Sequence, residues 1–526
     1  MSSAANLRSR RSAGQLRALA GVEREIRAQD SHGRRKYLRE FHEAFRSYDS
    51  VVDAQQILSA VDSADVVLIG DYHALPAAQR YAATLLEQRA LSGGRPVVLA
   101  VETIFARDQH ILDEWWRREI HESELRERVR FDLDWGYDWS PFRELLVAAR
   151  DHADGVYGLD CMPRDDLRKI GTRDRHAVEK IAEVRERHPN AVVFVLFGES
   201  HLAPAHLPKL LRREMPEARL LTILQNVDAL YWRAAGESAE KVEAVRVSRE
   251  VMCVFNATPL EKYESYRLFL DQWSRCEDSP DFAPTIYNLI DSLADFLEIN
   301  RYSPHNGTQP KFLVDLLPEI HQYESDTSLR NFLSRKGIDQ DDLEASMSSA
   351  QERGSIYVPI ANALYVREFQ MMHASEDATR FLHHACMGLP RRGKFLGPGD
   401  AAPSEILDRL YAAVLEDAIA FFGSRVLDPS RPEPQAVTKA PLSRVALESA
   451  VKTAVRAGGS KSHTVTKEWG YRIGSEIYRA YLAGKVSHPE LRRLFLLHLY
   501  EPGIARKACA AVIGRLRKLL GDGPIQ

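Results

Sequence analysis

Short, unbroken apolar runs that alternate with helical stretches constrain this chain more than any other feature. Residues 66–70, 96–102, Val156–Asp160, 191–197 and 219–225 are such runs. A strand apolar along its whole length is buried on both faces, as in a parallel sheet covered by helices. The intervening residues Pro76–Leu91, 104–130, 141–151, 172–188 and 204–213 carry helical periodicity, with Ser140 as the expected N-cap of the third. The expected fold class is therefore α/β, a mostly parallel sheet with helices on both faces, followed by a mainly α-helical C-terminal half. Residues 242–248 and 251–256 lie too close for a crossover and are expected as an antiparallel pair at the sheet edge.

Chemistry collects where the strands end. Gly70-Asp71-Tyr72-His73 closes one run and Gly198-Glu199-Ser200-His201 another, each with a carboxylate two residues before a histidine. Glu102 and Asp160 close two more. In an open parallel sheet ligands sit beyond the carboxyl ends of the strands, so these residues are expected on one rim. Gly70 and Gly198 are expected to let the backbone turn off its strand without a Cβ clash. Asp71, His73, Glu102, Glu199 and His201 are the candidate catalytic residues. His73, Glu102 and His201 could hold a divalent metal with an open position, and Tyr72, His73 and His201 could ligate haem iron. A metal would lower the pKa of bound water, with a free carboxylate as base; without one, a His–carboxylate pair could activate water directly. Residues 131–140, FDLDWGYDWS, read as an aromatic loop at the pocket. Arg107, Gln109, Trp135 and Asp160 are the expected substrate-pocket residues, whereas His110 and His121 fall on charged helix and read as surface.

The charge is uneven. Of 526 residues with net charge −3, the segment from Gln435 onward holds 16 Lys and Arg against 6 Asp and Glu. That segment could meet an anionic partner, or pair with the more acidic remainder of the chain. Five scattered cysteines without a CxxC argue for a reducing compartment, so a cytoplasmic location is expected. The Arg- and Ser-rich opening lacks the apolar core of a signal peptide, and no run approaches the roughly 18 apolar residues of a membrane span. Residues 1–35 read as a mobile basic arm. Beyond residue 278 the strand signal nearly vanishes, and 286–298, 309–323, 328–333, 341–351, 356–372, 375–386, 404–422 and 442–520 are expected helical, with linkers at 391–403 and 428–437. Gly458-Gly459-Ser460-Lys461-Ser462 lacks the glycine spacing and preceding strand of a phosphate loop. The expected division is 1–49, a basic arm and leading helix; 50–275, the α/β domain; 276–430, a helical region; and 431–526, a basic helical region.

The order and spacing of VVLIGDYHALPAAQ, VVLAVETIFARDQHILDEW, WGYDWSPFRELLVAAR and GESHLAPAHLPKLL resemble the ChaN-like haem-binding domain over residues 50–275. That domain belongs to a superfamily with the Tiki, TraB and erythromycin esterase proteins. The resemblance implies an α/β core and a site built from His73, Glu102 and His201, with Asp71 and Glu199 beside them. It implies a haem or divalent metal cofactor, a small-molecule or haem ligand, and hydrolysis if the chain is an enzyme. These families usually carry Glu where this chain has Asp71. Three functions are expected from these residues: a haem- or metal-binding protein of the ChaN type; a metal-dependent or water-activating hydrolase of the esterase and Tiki type; and a non-catalytic scaffold whose basic C-terminal region binds a partner. The chain is compatible with an oligomer.

Overall fold

The computed structural model describes residues 2–30, 36–162, 170–238, 241–275, 280–299, 316–323, 325–335, 338, 340–387, 403–434, 441–457 and 459–520. They fall into two compact units, one of Glu23–Asp278 and one that combines Met1–Val22 with Ser279–Gln526. Among the described residues no helix is long and apolar enough to cross a membrane.

The unit Glu23–Asp278 is built on one sheet. Its strands are β1 (Ser50–Val51), β2 (Val66–Asp71), β3 (Val97–Phe105), β4 (Val156–Asp160), β5 (Val192–Gly198), β6 (Leu220–Gln225), β7 (Ala244–Ser248) and β8 (Val251–Val254). Their order is β1-β7-β8-β6-β2-β5-β3-β4. From β8 to β4 every neighbouring pair is parallel, while β7 runs antiparallel to β8 and β1 to β7. The expected α/β class and the antiparallel pair at the edge are both observed.

Alternation along each strand separates two cores. Val67 and Ile69 face one, with Ala82 and Leu86 of the helix Pro76–Leu91 and Leu145 of the helix Trp139–His152. Val66 and Leu68 face the other, with Phe41 of Lys36–Ala44, Ile181 of Ile170–Arg187 and Leu211 of Leu207–Glu214. A strand residue thus meets apolar partners on whichever face it points to, which is why the runs carry no polar alternation. Full burial of each such Val, Leu or Ile is favourable by about 1.5–3 kcal/mol relative to exposure.

Several local expectations are corrected. Ser2–Gln29 is a helix rather than a mobile arm, consistent with its many Ala, Leu, Arg, Glu and Gln residues and its lack of Pro. The aromatic stretch 131–140 is a helical turn at Phe131–Asp134, then Gly136 at φ 78°, then the start of the next helix. That helix begins at Trp139 and is capped by Asp138, whose side chain accepts from the Ser140 N–H, so Ser140 is not the cap. In the second unit, residues 356–372 are not one helix. β10 (Ser355–Val358) and β11 (Ala363–Val366) form an antiparallel pair across Pro359–Ala361, with Asn362 at φ 45°. Pro359 and the left-handed Asn362 break the helical reading, and the flanking Ile, Tyr and Val residues suit strands. β9 (Glu319–Gln322) joins β11 in parallel, where the end of a helix was expected. Residues 309–315 of that expected helix, the linker 391–402, residues 435–437 and Cys276 lie outside the described residues.

The rest of the second unit is helical, including Met371–Met387, Pro403–Leu427, Arg444–Ala457, Gly459–Leu482, His488–Phe495 and Ile504–Leu520.

Candidate functional site

Strand order explains the convergence of the two motifs. β2, β5, β3 and β4 are neighbours, so their carboxyl ends form one row. Asp71 lies directly beside Gly198 in the register of β2 and β5. Gly198 has φ −49°, which any residue adopts, so its glycine is not needed for a turn. It is needed for room. A Cβ there would lie 3.2 Å from Glu102 Oε2 and 3.3 Å from both Cε1 and Nε2 of His73. Gly70 has only ordinary contacts at 3.5 Å and beyond. The expectation that both glycines serve a turn off the strand without a Cβ clash is therefore narrowed, at Gly198, to close approach of two site side chains.

Three groups of side chains occupy the row. In the first, His73 Nδ1 lies 2.8 Å from Asp71 Oδ2, and the Gln79 amide donates to Asp71 Oδ1. The His73 ring faces Trp135 and Tyr137 with centroids 4.4 and 5.3 Å away. In the second, Glu102 is held on both oxygens: Arg173 Nη2 donates to Oε1 at 2.5 Å, and the Gly198 N–H donates to Oε2 at 2.6 Å. Arg173 also donates twice to Asp160, each at 2.9 Å. In the third, His201 Nδ1 lies 2.5 Å from Asp174 Oδ1, while the Tyr37 hydroxyl donates to Asp174 Oδ2 at 2.9 Å. Asp71, Glu102, Asp160, Arg173, Asp174 and His201 are all buried, and His73 keeps 23% of its side-chain exposure.

The electrostatics follow from these contacts. Burial opposes the charge on Glu102, but Arg173, His201, His73 and the Gly198 N–H outweigh it and pull its pKa down to about 2. Burial also opposes protonation of His73, and Arg173 adds to that. The Asp71 carboxylate and Glu102 outweigh both, so the His73 pKa is raised. Arg173 is raised despite its burial because Glu102 and Asp160 surround it.

The Glu of the second motif does not pair with its own histidine. Glu199 instead takes both of its oxygens to Lys262 Nζ, at 2.9 and 3.0 Å, and Lys262 also donates to the Asn226 carbonyl at 3.3 Å. The buried ammonium is held charged by Glu199 and Asp228 against the cost of desolvation. Tyr72 belongs to this group, its ring 4.7 Å from Lys262 Nζ, and burial together with nearby Tyr263 and Glu199 pushes its phenol well up. The Asp71 of the first motif, by contrast, reaches the His two residues ahead of it.

The expected pocket residues separate as well. Trp135 borders His73 and Asp160 anchors Arg173. Gln109 is turned to the backbone of β4, donating to the Val156 carbonyl and accepting from the Gly158 N–H, each at 2.9 Å, so its side chain clasps a strand rather than lining a pocket. Arg107 is 56% exposed, 4.8 Å above the Phe105 ring and 4.0 Å from Asp134. Among the described residues, no group of three or more His, Cys, Asp and Glu side chains is arranged to hold a metal ion. A metal on Glu102 would share its oxygens with Arg173 and the Gly198 N–H.

Sequence reasoning missed Arg173, Asp174, Lys262, Gln79 and Tyr37. Arg173 and Asp174 sit in a helix read only as cover for the sheet, and Lys262 in another. Gln79 had a faint signal, since a motif carboxylate entering a helix finds its partner in the next turns of that helix.

Residues 57–192 match the model of the family described as "Haem-binding uptake, Tiki superfamily, ChaN". The matched stretch contains Asp71, His73, Glu102, Trp135, Asp160, Arg173 and Asp174, while Glu199 and His201 lie beyond its end. A solved structure of ChaN from Campylobacter jejuni, described as showing cofacial haem binding, is similar at 13% identity. It covers 33% of this chain and 86% of its own, with a TM-score of 0.26. No curated protein matches. By the family model, residues 57–192 of this chain are similar to the ChaN family of the Tiki superfamily.

Proposed function

We propose that the strand-end site of the unit Glu23–Asp278 binds haem, with His73 as the iron ligand through Nε2. The observation that carries this reading is the setting of the His73 ring. Its Nδ1 is tied to Asp71 at 2.8 Å, and it stays 23% exposed beside Trp135 and Tyr137. A carboxylate on the far nitrogen orients an imidazole and strengthens it as a ligand, and aromatic faces suit a flat apolar ring system. Bound haem would supply an iron centre for redox or ligand-binding chemistry. The protein's own groups do the positioning. Gln79 holds Asp71, Asp71 keeps the proton on Nδ1, and Trp135 and Tyr137 pack against the ring. The haem-binding description of the matching family supports the reading. Titration of the purified full chain with haemin, followed at the Soret band, is the test. His73→Ala is expected to weaken binding by tenfold or more, and an unchanged titration in that variant overturns the assignment.

A second reading is favoured by Glu102, ionised between two His–Asp pairs. Here His73 takes a proton from water, the oxygen so activated attacks an ester- or amide-like carbonyl, and the protonated His73 returns the proton to the leaving oxygen or nitrogen as its bond to the carbonyl carbon breaks. Hydrolysis of a panel of such substrates, with and without added divalent metal, is expected to fall about a hundredfold or more in His73→Ala. No hydrolysis across the panel, or activity indifferent to His73→Ala, removes this reading.

A further inference from the structure

The geometry points to Asp174 and Tyr37 as positioning residues that hold His201 in its Nδ1–H tautomer, so that Nε2 serves the site as a second acceptor nitrogen alongside His73. The inference deepens the reading of the strand-end row as a functional site, and rests on that reading for its role but not for its geometry. Asp174 is 1% exposed and follows Arg173 directly in the helix Ile170–Arg187. One short stretch of helix therefore sends Arg173 to Glu102 and Asp174 to His201.

The tautomer follows from donor counting. An ionised carboxylate only accepts hydrogen bonds. The Tyr37 hydroxyl donates to Oδ2 at 2.9 Å, which leaves Oδ1 to accept the proton of His201 Nδ1 at 2.5 Å. Burial and the Asp174 charge push the Tyr37 phenol up, so it remains a donor at neutral pH. The phenol is itself fixed. Its ring stacks on His206 at 3.7 Å and 13°, and His206 Nε2 lies 2.8 Å from Glu40. Edges of the His201 ring meet Phe197 and Tyr37 with centroids 5.0 and 5.6 Å away.

The same arrangement recurs at His73 with different parts. Gln79 donates to one oxygen of Asp71, and His73 Nδ1 meets the other. Each imidazole thus turns Nδ1 to a carboxylate whose second oxygen is occupied by a neutral donor. His73 takes its carboxylate from its own motif. His201 takes it from another helix, because the Glu199 of its motif is bound to Lys262. Two imidazoles oriented alike by unrelated carboxylates mark a shared requirement on the free nitrogen, which helix packing alone does not impose.

The test is long-range proton–nitrogen NMR of the full chain with 15N-labelled histidine, His201 being assigned by the signal lost in His201→Gln. The wild type is expected to carry the His201 proton on Nδ1. Asp174→Asn, whose amide can donate, is expected to move it to Nε2, and Asp174→Glu to keep it on Nδ1. Tyr37→Phe leaves the carboxylate as acceptor and is expected to keep the proton on Nδ1, whereas Asp174→Ala removes the acceptor, is expected to give a mixture, and carries the test if Asp174→Asn does not fold. A wild-type proton on Nε2 overturns the proposal, as does an unmoved proton in Asp174→Asn or, failing that variant, in Asp174→Ala. In parallel, haemin titration of Asp174→Asn is expected to show about tenfold weaker binding with the His73 tautomer unchanged. Wild-type binding retained in full by Asp174→Asn overturns the role in the site. A wild type that gives no Soret response fails the haem reading and leaves the tautomer result standing.

Discussion

Arg173 is the residue on which the site's charge balance turns. It holds two buried carboxylates, Glu102 and Asp160, and either one left alone would be costly. Arg173→Met is expected to destabilise the protein by about 3–5 kcal/mol, read by urea unfolding at pH 7. The pH dependence has a definite sign. Glu102 is pulled from its ordinary value of 4.5 down to about 2, so its contribution is full above the upper value and is lost as pH falls towards the lower. In the variant the Glu102 pKa rises towards or above its ordinary value, so less stability is lost between pH 4.5 and 2 and the acid limb becomes shallower. An acid limb of unchanged slope would show that Arg173 does not set this ionisation. Little of this was legible in the sequence. His73, Glu102 and His201 stood out because each ends or follows an apolar strand. Arg173 sits in an ordinary amphipathic helix where an arginine carries no signal.

At the scale of elements, close approach of backbone decides more than residue type. The helices Pro403–Leu427 and Gly459–Leu482 meet at Gly474, where a Cβ would lie 2.5 Å from the Ala418 carbonyl and 3.0 Å from Phe421 Cβ. Backbone cannot yield as a side-chain tip does, so Gly474→Ala is expected to cost about 1–3 kcal/mol in thermal or urea unfolding. A neutral or stabilising result, as for glycine replacement on an open helix face, would mean that the helices do not meet there. The strand pair β10 and β11 makes the complementary point. Its residues suit a helix or a strand in isolation, and Pro359 with Asn362 was a turn signal outweighed by the run of helices around it. The parallel strands β2 to β6 were legible because burial on both faces leaves an unbroken apolar run, which short hairpin strands do not need.

At the scale of the whole molecule, the second unit carries buried charge and buried histidine of its own. Glu376 is fully buried and paired with Arg353, Arg380 and Arg431 at 3.4, 3.0 and 2.7 Å. Burial is the main reason that His383 is lowered to about 4, although its Nδ1 lies 2.9 Å from the Phe495 carbonyl. A histidine lowered in the folded state binds its proton more readily unfolded. Its stabilising effect is full above about 6.5 and is lost as pH falls towards about 4, by up to about 3 kcal/mol. The unfolding midpoint is therefore expected to drop between pH 7 and 4, and the slope to lessen in His383→Gln. An equal slope in both proteins would place the pH dependence on other groups.

The sequence by itself determined the α/β class, the parallel strands of the first unit with helices between them, and the strand ends that carry His73, Glu102 and His201. It could do so because burial on two faces and the carboxyl-end rule act on contiguous residues. Only the tertiary structure decided which carboxylate serves which histidine. GDYH and GESH look alike in the chain, yet Asp71 reaches its own histidine while Glu199 is drawn to Lys262 and leaves His201 to Asp174. Those choices depend on which helix packs against which strand end, and a buried charge takes whichever opposite charge that packing brings within reach.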